Sequence, residues 1–321
     1  MACNTVRSAP STPAPGPALK GYVRKSETDE ILVRDWRNVS PETQIVTLQW
    51  PHTHSFYTLP GGATSPLLLT ECVRQGLALL SHTVHDIPLD HRLGWEYART
   101  TVARAALRPR SGPMTAELRI THTSVTRRRG GSVQLTALIN STVGGEHLGT
   151  AEIRYTTHPP AIYHRLRREY ADAGRAFANA LPPAPPAAPG LVGRDDPGDV
   201  VIAPTGTAHH WQLRTDTSHS TLYDHPHDHI PGMVLLEAVS QAAQAEFGER
   251  GPVVPFDFDT VFSRYVEFDA PVWIDVAPET PDVLGRDRLR VTGTQNGRDV
   301  FRTVVTCAPA ATPGAAAPRV T

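Results

Sequence analysis

The chain has 321 residues, enough for two domains of ordinary size. Its 32 acidic and 31 basic side chains nearly cancel, so it lacks the polybasic footprint of a nucleic-acid-binding or membrane-surface protein. Apolar residues make up 40% of it, sufficient for globular cores, and no run approaches the roughly 18 consecutive apolar residues of a transmembrane helix.

The first ten residues contain no apolar h-region, so no secretory signal is expected. The cysteines, Cys3, Cys72 and Cys307, form neither a CxxC pair nor a metal-ligand spacing. The expectation is a reduced, cytoplasmic protein in which Cys72 is a packing residue. Residues 8–19 are rich in Pro, Ala and Ser, and residues 1–20 are expected to be disordered. A first unit is expected over 21–160. Within it, Gln44–Trp50 alternates as a strand. Pro66–Leu80 reads as a helix whose apolar residues run nearly all the way round, so it is expected to be buried. Leu93–Val102, Thr115–Val125, Ser132–Asn140 and Gly149–Thr156 read as strands. Arg127-Arg-Arg-Gly-Gly131 is a turn, read as solvated, with phosphate binding as the sharper alternative.

A linker is expected over 161–195. Ile162–Ala180 reads as a helix with Arg165, Arg167, Arg168 and Arg175 on a solvated face, and Leu181–Gly190 is Pro-rich. A second unit over 196–308 repeats the order of the first, before a disordered tail at 309–321. His209–Thr215 is a short strand and Pro231–Phe247 a helix. Val261–Phe268, Asp287–Gln295 and Asp299–Thr306 are strands, the last two joined at Asn296-Gly297. One apolar helix followed by antiparallel strands, twice, predicts an α+β architecture. In it, two helices are each wrapped by a curved sheet and the units sit side by side like a homodimer within one chain.

Each helix carries one acid among apolar neighbours: Glu71 in Pro66-Leu-Leu-Leu-Thr-Glu-Cys-Val-Arg-Gln75, and Glu237 in Asp228-His-Ile-Pro-Gly-Met-Val-Leu-Leu-Glu237. Burying a carboxylate is costly, so each is read either as a functional acid or as a structural acid bonded to the facing unit. Desolvation raises a carboxyl pKa toward the range useful for proton transfer, and a nearby cation counteracts it. Arg74 lies three residues from Glu71 on the same helix face. It is read as a partner of Glu71 or as a bidentate ligand for a substrate phosphate. Gly232 and Met233 offer backbone N–H groups at a helix start for a carbonyl or oxyanion. The cluster Asp224, His225, His227, Asp228 and His229 is too tightly spaced for an expected metal site. His229 is its candidate for catalysis or substrate binding.

Taken together, these motifs and Phe262-Ser-Arg-Tyr-Val-Glu-Phe-Asp269 resemble the A-factor synthesis family over roughly residues 20–306. That family comprises tandem double hotdog proteins that make γ-butyrolactone and related autoregulators. The resemblance implies transfer of a β-ketoacyl chain from an acyl carrier protein to dihydroxyacetone phosphate, then closure to a butenolide phosphate, with no metal or other cofactor. It implies Glu237, His229 and Glu71 as catalytic residues. Arg74, Gly232, Met233, Arg264 and Asp224 are its substrate-binding candidates. Arg264 is assigned to a phosphate or phosphopantetheine, or to a cross-strand pair with Glu267. Neither nucleic acid nor membrane is an expected partner, and the chain is expected as a monomeric pseudo-dimer or a homodimer of such units.

One departure stands out. The family reads Glu-Ala-x-Arg-Gln in the second unit, where this chain reads Glu237-Ala-Val-Ser240-Gln241. If the family arginine binds phosphate, the acceptor differs or is absent; if Arg74 serves the site, function survives. Two other readings stay open. One is hydration, dehydration or hydrolysis of an acyl thioester, because Asp224-His-Pro-His-Asp-His229 partly matches an Asp/His hydratase signature. The other is a catalytically degenerate acyl-binding or regulatory homologue.

Overall fold

The computed structural model describes residues 17–248 and 251–310. The expected disorder at 1–16 and 311–321, and Cys3, lie outside the described residues. A helix, α1 (Pro17–Val23), begins inside the stretch read as disordered, and its Leu19 and Val23 join the core.

The first unit comprises β1 (Val33–Asn38), β2 (Thr43–Trp50), helix α2 (Leu67–Thr83), and then β3 (Arg92–Val102), β4 (Met114–Arg127), β5 (Val133–Val143) and β6 (Glu146–His158). Two short helices, α3 (Pro160–Arg167) and α4 (Ala173–Ala178), follow. The second unit comprises β7 (Ile202–Pro204), β8 (His210–Leu213), helix α5 (Gly232–Phe247), β9 (Val253–Phe262), β10 (Val272–Glu279), β11 (Arg288–Gln295) and β12 (Arg298–Pro309). All strands join one antiparallel sheet in the order β1-β2-β4-β5-β6-β3-β9-β12-β11-β10-β8-β7. Read from its two ends, the order is the same: two strands that precede the helix, then the three later strands, then the strand directly after the helix. The expected tandem double hotdog is therefore present, and β3 and β9 form the seam, pairing from Tyr97↔Val261 to Thr101↔Asp257.

Side-chain alternation explains how the sheet encloses the helices. In β5, Val133, Leu135, Ala137, Ile139, Ser141 and Val143 are buried, while the residues between them are partly or fully exposed. This period of two turns one face of the strand inward. Helix α2 has fifteen buried residues from Leu67 to His82, as its all-round apolar pattern requires. Among the described residues, no helix is long and apolar enough to cross a membrane.

Three expectations are corrected. The helix read over Ile162–Ala180 is broken into α3, a 3-10 turn at Arg168–Ala171 and α4, with Arg168 at φ +51° at the break. Its arginine run is not wholly solvated, because Arg167 is buried and ion-paired with Asp228 and Glu267. The strand read over Val261–Phe268 begins earlier, at Val253, and ends at Phe262. Beyond it the chain leaves the sheet and crosses the start of α5, where the Ile230 amide donates to the Val266 carbonyl at 2.8 Å. The Pro-rich segment also packs down onto the second unit. The Leu181 amide donates to the Phe268 carbonyl and the Ala187 amide to the Ile202 carbonyl.

Candidate active site

The two helix carboxylates occupy related networks, Glu71 bonded through both oxygens and Glu237 through Oε1 alone. Glu71 and Glu237 are each 2% exposed. Glu71 receives Arg74 Nε and Nη2, both at 2.7 Å, and Gln75 Nε2 at 2.9 Å. Lys25 Nζ lies 3.4 Å away. Gln75 also accepts from the Leu32 amide and donates to the Glu30 carbonyl, which ties α2 to the segment entering β1. In the second unit Gln241 donates to Glu237, accepts from the Val201 amide and donates to the Asp199 carbonyl. Here the cation is Arg194, whose Nη2 and Nε lie 2.7 and 3.1 Å from Glu237 Oε1. Arg194 also donates to the Phe56 carbonyl at 2.6 Å and lies over the Phe56 ring, joining the units.

The charge that Ser240 does not supply therefore comes from the segment before β7. Sequence reasoning missed Arg194, although a signal exists. It precedes Asp199 by five residues, as Lys25 precedes Glu30, and Asp199 and Glu30 accept from the two equivalent glutamines.

The first of these networks decides the charge of Glu71. Burial pushes the Glu71 carboxyl up, but Arg74 and Lys25, with the hydrogen bonds from Arg74 and Gln75, outweigh it and hold it well below its ordinary 4.5. Of the two opposing effects expected from the sequence, desolvation and a nearby cation, the cation prevails at Glu71. A depressed folded value means that the unfolded chain takes up this proton first as pH falls. The pair's stabilisation is complete above about 4.5 and is lost progressively below it. Urea midpoints measured from pH 6 to pH 2.5 are expected to fall more steeply for the wild-type protein than for Glu71→Gln; parallel curves would contradict this assignment.

A cavity of about 400 Å³ opens at the first turn of α5. The second unit supplies His229, Gly232, Met233, Leu235 and residues 262–266, and the first supplies Arg74, Leu77 and Ala78 of α2 and Leu93–Glu96 of β3. Pro231 is extended (φ −60°, ψ 143°), and the first helix-closing bond runs from the Val234 amide to the Pro231 carbonyl. The Gly232 and Met233 amides precede that bond, at the positive end of the helix dipole.

His229 Nδ1 lies 3.2 Å from Asp228 Oδ1, and its ring meets Tyr265 edge-on at 4.8 Å between centroids. Asp228 Oδ2 accepts from Tyr163 Oη. Arg167 donates to the Asp228 carbonyl at 2.9 Å and to Glu267 Oε2 at 2.8 Å. Although burial opposes it, contact with His229, Tyr163 and Arg167 holds the Asp228 carboxyl well below the usual range. Asp228 thus stays anionic beside His229 Nδ1, a charge contact rather than a hydrogen bond, since that nitrogen is buried without a hydrogen-bond partner.

The structure brings together five of the residues singled out in the sequence: His229, Gly232, Met233, Arg74 and Arg264 all line the cavity. Arg264 follows β9 rather than lying on it, and Glu267 pairs with Arg167 instead. Asp224 stands behind the wall, accepting from the Ser26 amide at 2.9 Å and bonded to His225 at 2.6 Å. Glu71 reaches the cavity only through Arg74, and neither Glu237 nor Ser240 lines it. The sequence reading missed Tyr163, Asp228 and Tyr265 as cavity residues. Only Asp228, beside His229, carried a local signal.

Asp224, His225 and His227 place ligand atoms within 4.8 Å of one another. Burial, then His225 and His229, push His227 down to about 3, and the charges of Lys25 and Arg74 act on this same cluster. A cation there would meet two fixed positive charges.

The A-factor biosynthesis hotdog domain matches residues 6–159 and again 177–311. The chain is 34% identical to a 2-oxo-3-(phosphooxy)propyl 3-oxoalkanoate synthase of Streptomyces virginiae, over 88% of this chain and 95% of the relative. It is 31% identical to a synthase of the same name from Streptomyces coelicolor, over 90% and 91%. Among solved structures, an oleoyl thioesterase of Lactobacillus plantarum superposes with a TM-score of 0.51 at 10% identity, over 84% of this chain and 97% of that one. That last likeness is one of fold. With the motif duplicated on α2 and α5 and the domain matched twice, the chain belongs to the A-factor biosynthesis hotdog family.

Proposed function

We propose that the protein is an acyltransferase that joins a 3-oxoacyl thioester, carried on an acyl carrier protein, to the free hydroxyl of dihydroxyacetone phosphate. The observation that carries this reading is the cavity at the start of α5. It gathers an imidazole beside an aspartate, two helix-start amides and an arginine-bearing wall from the other unit around one space. The product would be the 2-oxo-3-(phosphooxy)propyl ester for which the Streptomyces relatives are named.

In this reading the thioester carbonyl points at the Gly232 and Met233 amides, which stabilise the oxygen as it becomes negative. His229 Nε2 takes the hydroxyl proton as the alcohol oxygen attacks the carbonyl carbon. The tetrahedral adduct then expels the thiolate. The imidazolium returns its proton to that sulfur, so one C–O bond forms, one C–S bond breaks, and a thiol leaves. Leu77, Ala78 and Leu235 offer an apolar wall for the acyl chain. Closure to a butenolide phosphate would follow, by attack of the acidic methylene between the two acyl carbonyls on the triose ketone and loss of water.

Glu71 and Glu237 are then ion-paired anchors that set the two helices. Ser240 lies off the cavity, so its lack of charge does not weaken this site, and Arg74 faces it from α2. The test is thiol release from a 3-oxoacyl N-acetylcysteamine thioester. Release that depends on dihydroxyacetone phosphate supports acyl transfer. Equal release without it identifies a hydrolase, and no release in either mixture favours an acyl-binding homologue.

A further inference from the structure

Of the four arginines lining the cavity, Arg24, Arg74, Arg92 and Arg264, three converge on one wall. Arg74 Nη1 reaches the carbonyl of Val23, the neighbour of Arg24, at 3.4 Å. Arg24 Nη2 reaches the carbonyl of His91, the neighbour of Arg92, at 2.5 Å, and that of Leu89 at 3.1 Å. These guanidinium groups come from the segment after α1, from α2 and from the start of β3.

Glu71 neutralises Arg74 and the exposed Asp90 carboxylate acts on Arg24, but no other carboxylate of the wall is left for them. Glu96 is taken up by Arg154, Thr156 and Gln134, and Asp228 by Tyr163 and Arg167. Asp224 is bonded to the Ser26 amide and His225, and the Asp90 side chain, 66% exposed, sits beside His91. Arg74 spends its charge on Glu71. Arg92 has no hydrogen-bonded or ion-paired partner for its side chain among the described residues. Arg24 Nε is buried without a partner, and Arg24 holds a left-handed φ of +55°, a strained conformation for a residue with a Cβ. Burial, then the charges of Arg92 and Arg74, push its guanidinium down to about 10. Like charges have been gathered where an anion would relieve them.

We infer that Arg24, Arg74 and Arg92 form the cradle for a phosphate monoester, the phosphate of the three-carbon acceptor. This rests on the acyl-transfer reading above. Guanidinium forks match the paired oxygens of such a dianion. The other source of phosphate at this site is the phosphodiester of the carrier's phosphopantetheine arm, and the donor chosen for the test separates the two.

Arg92 is exposed, so Arg92→Gln is expected to fold. With a 3-oxoacyl N-acetylcysteamine thioester, which has no phosphate, its KM for dihydroxyacetone phosphate is expected to rise about tenfold or more, exceeding any fall in kcat. Arg92→Lys is expected to recover part of the loss, and Arg24→Gln to behave like Arg92→Gln. A binding readout needs no turnover: glycerol 3-phosphate is expected to raise the melting temperature of the wild-type protein and not that of Arg92→Gln. An unchanged KM together with an unchanged thermal shift overturns the cradle, as does an effect seen only with a carrier-borne donor. If the wild-type protein forms no ester but the thermal shift still depends on Arg92, the cradle stands and the reaction reading fails. If ester forms and Arg92→Gln keeps both its KM and its thermal shift, the reverse holds.

Discussion

Replacing His229 by alanine is expected to lower kcat for ester formation by about 10²–10⁴-fold, the range for loss of a positioned general base. The imidazole lies at the cavity surface with its side chain 24% exposed, not in the core, so the variant should fold and melt as the wild-type protein does. Asp228 acts one step removed, through the placement of His229. Asp228→Asn is therefore expected to lower kcat while the KM for dihydroxyacetone phosphate stays within about twofold of wild type, a split that loss of folding would not give. Steady-state kinetics check both. A His229→Ala rate within a few-fold of wild type would contradict the base assignment.

The second large effect falls on stability. Arg194 is the guanidinium beside Glu237, and both side chains are almost fully buried. Arg194→Met leaves a carboxylate in the core without its cation, a type of change that costs roughly 3–5 kcal/mol. Equilibrium urea unfolding should show a midpoint lowered accordingly. The duplicated motif supplies an internal rescue. In the first unit the cation sits three residues after the glutamate, at Arg74. Ser240→Arg added to Arg194→Met puts one at the equivalent position, three residues after Glu237. The double variant is expected to recover much of the lost stability. If Arg194→Met proves neutral, or Ser240→Arg deepens the loss, the equivalence between the two networks is wrong.

The parts of this molecule legible in its sequence are those encoded locally. The all-round apolar helices, the acid and glutamine spaced four apart on each, and the alternation in β5 follow from neighbours along the chain. Features set by long-range packing were not legible. Residues 263–268 read as strand by composition, yet they cross α5 instead, tied by the Ile230–Val266 and Glu267–Gln295 hydrogen bonds. β7 is too short to show a period, and β10 follows Pro271 and contains Pro278, both turn signals. Arg167 belonged to a run that looked solvated until Asp228 and Glu267 came to it from sixty to a hundred residues away. The same holds for the site. His229, Gly232 and Met233 share one segment and were found together. Arg24, Arg92 and Tyr163 reach the cavity from three other segments.

We propose one working site at the start of α5, built from both units, and a crystal structure with a 3-oxoacyl pantetheine thioether and glycerol 3-phosphate is its decisive test. The acyl carbonyl is expected within hydrogen-bond distance of the Gly232 and Met233 amides, with His229 Nε2 beside the acceptor hydroxyl and the phosphate against Arg24 and Arg92. Ligands seated instead at the start of α2, on the side of Ser240 and Arg194, would contradict it.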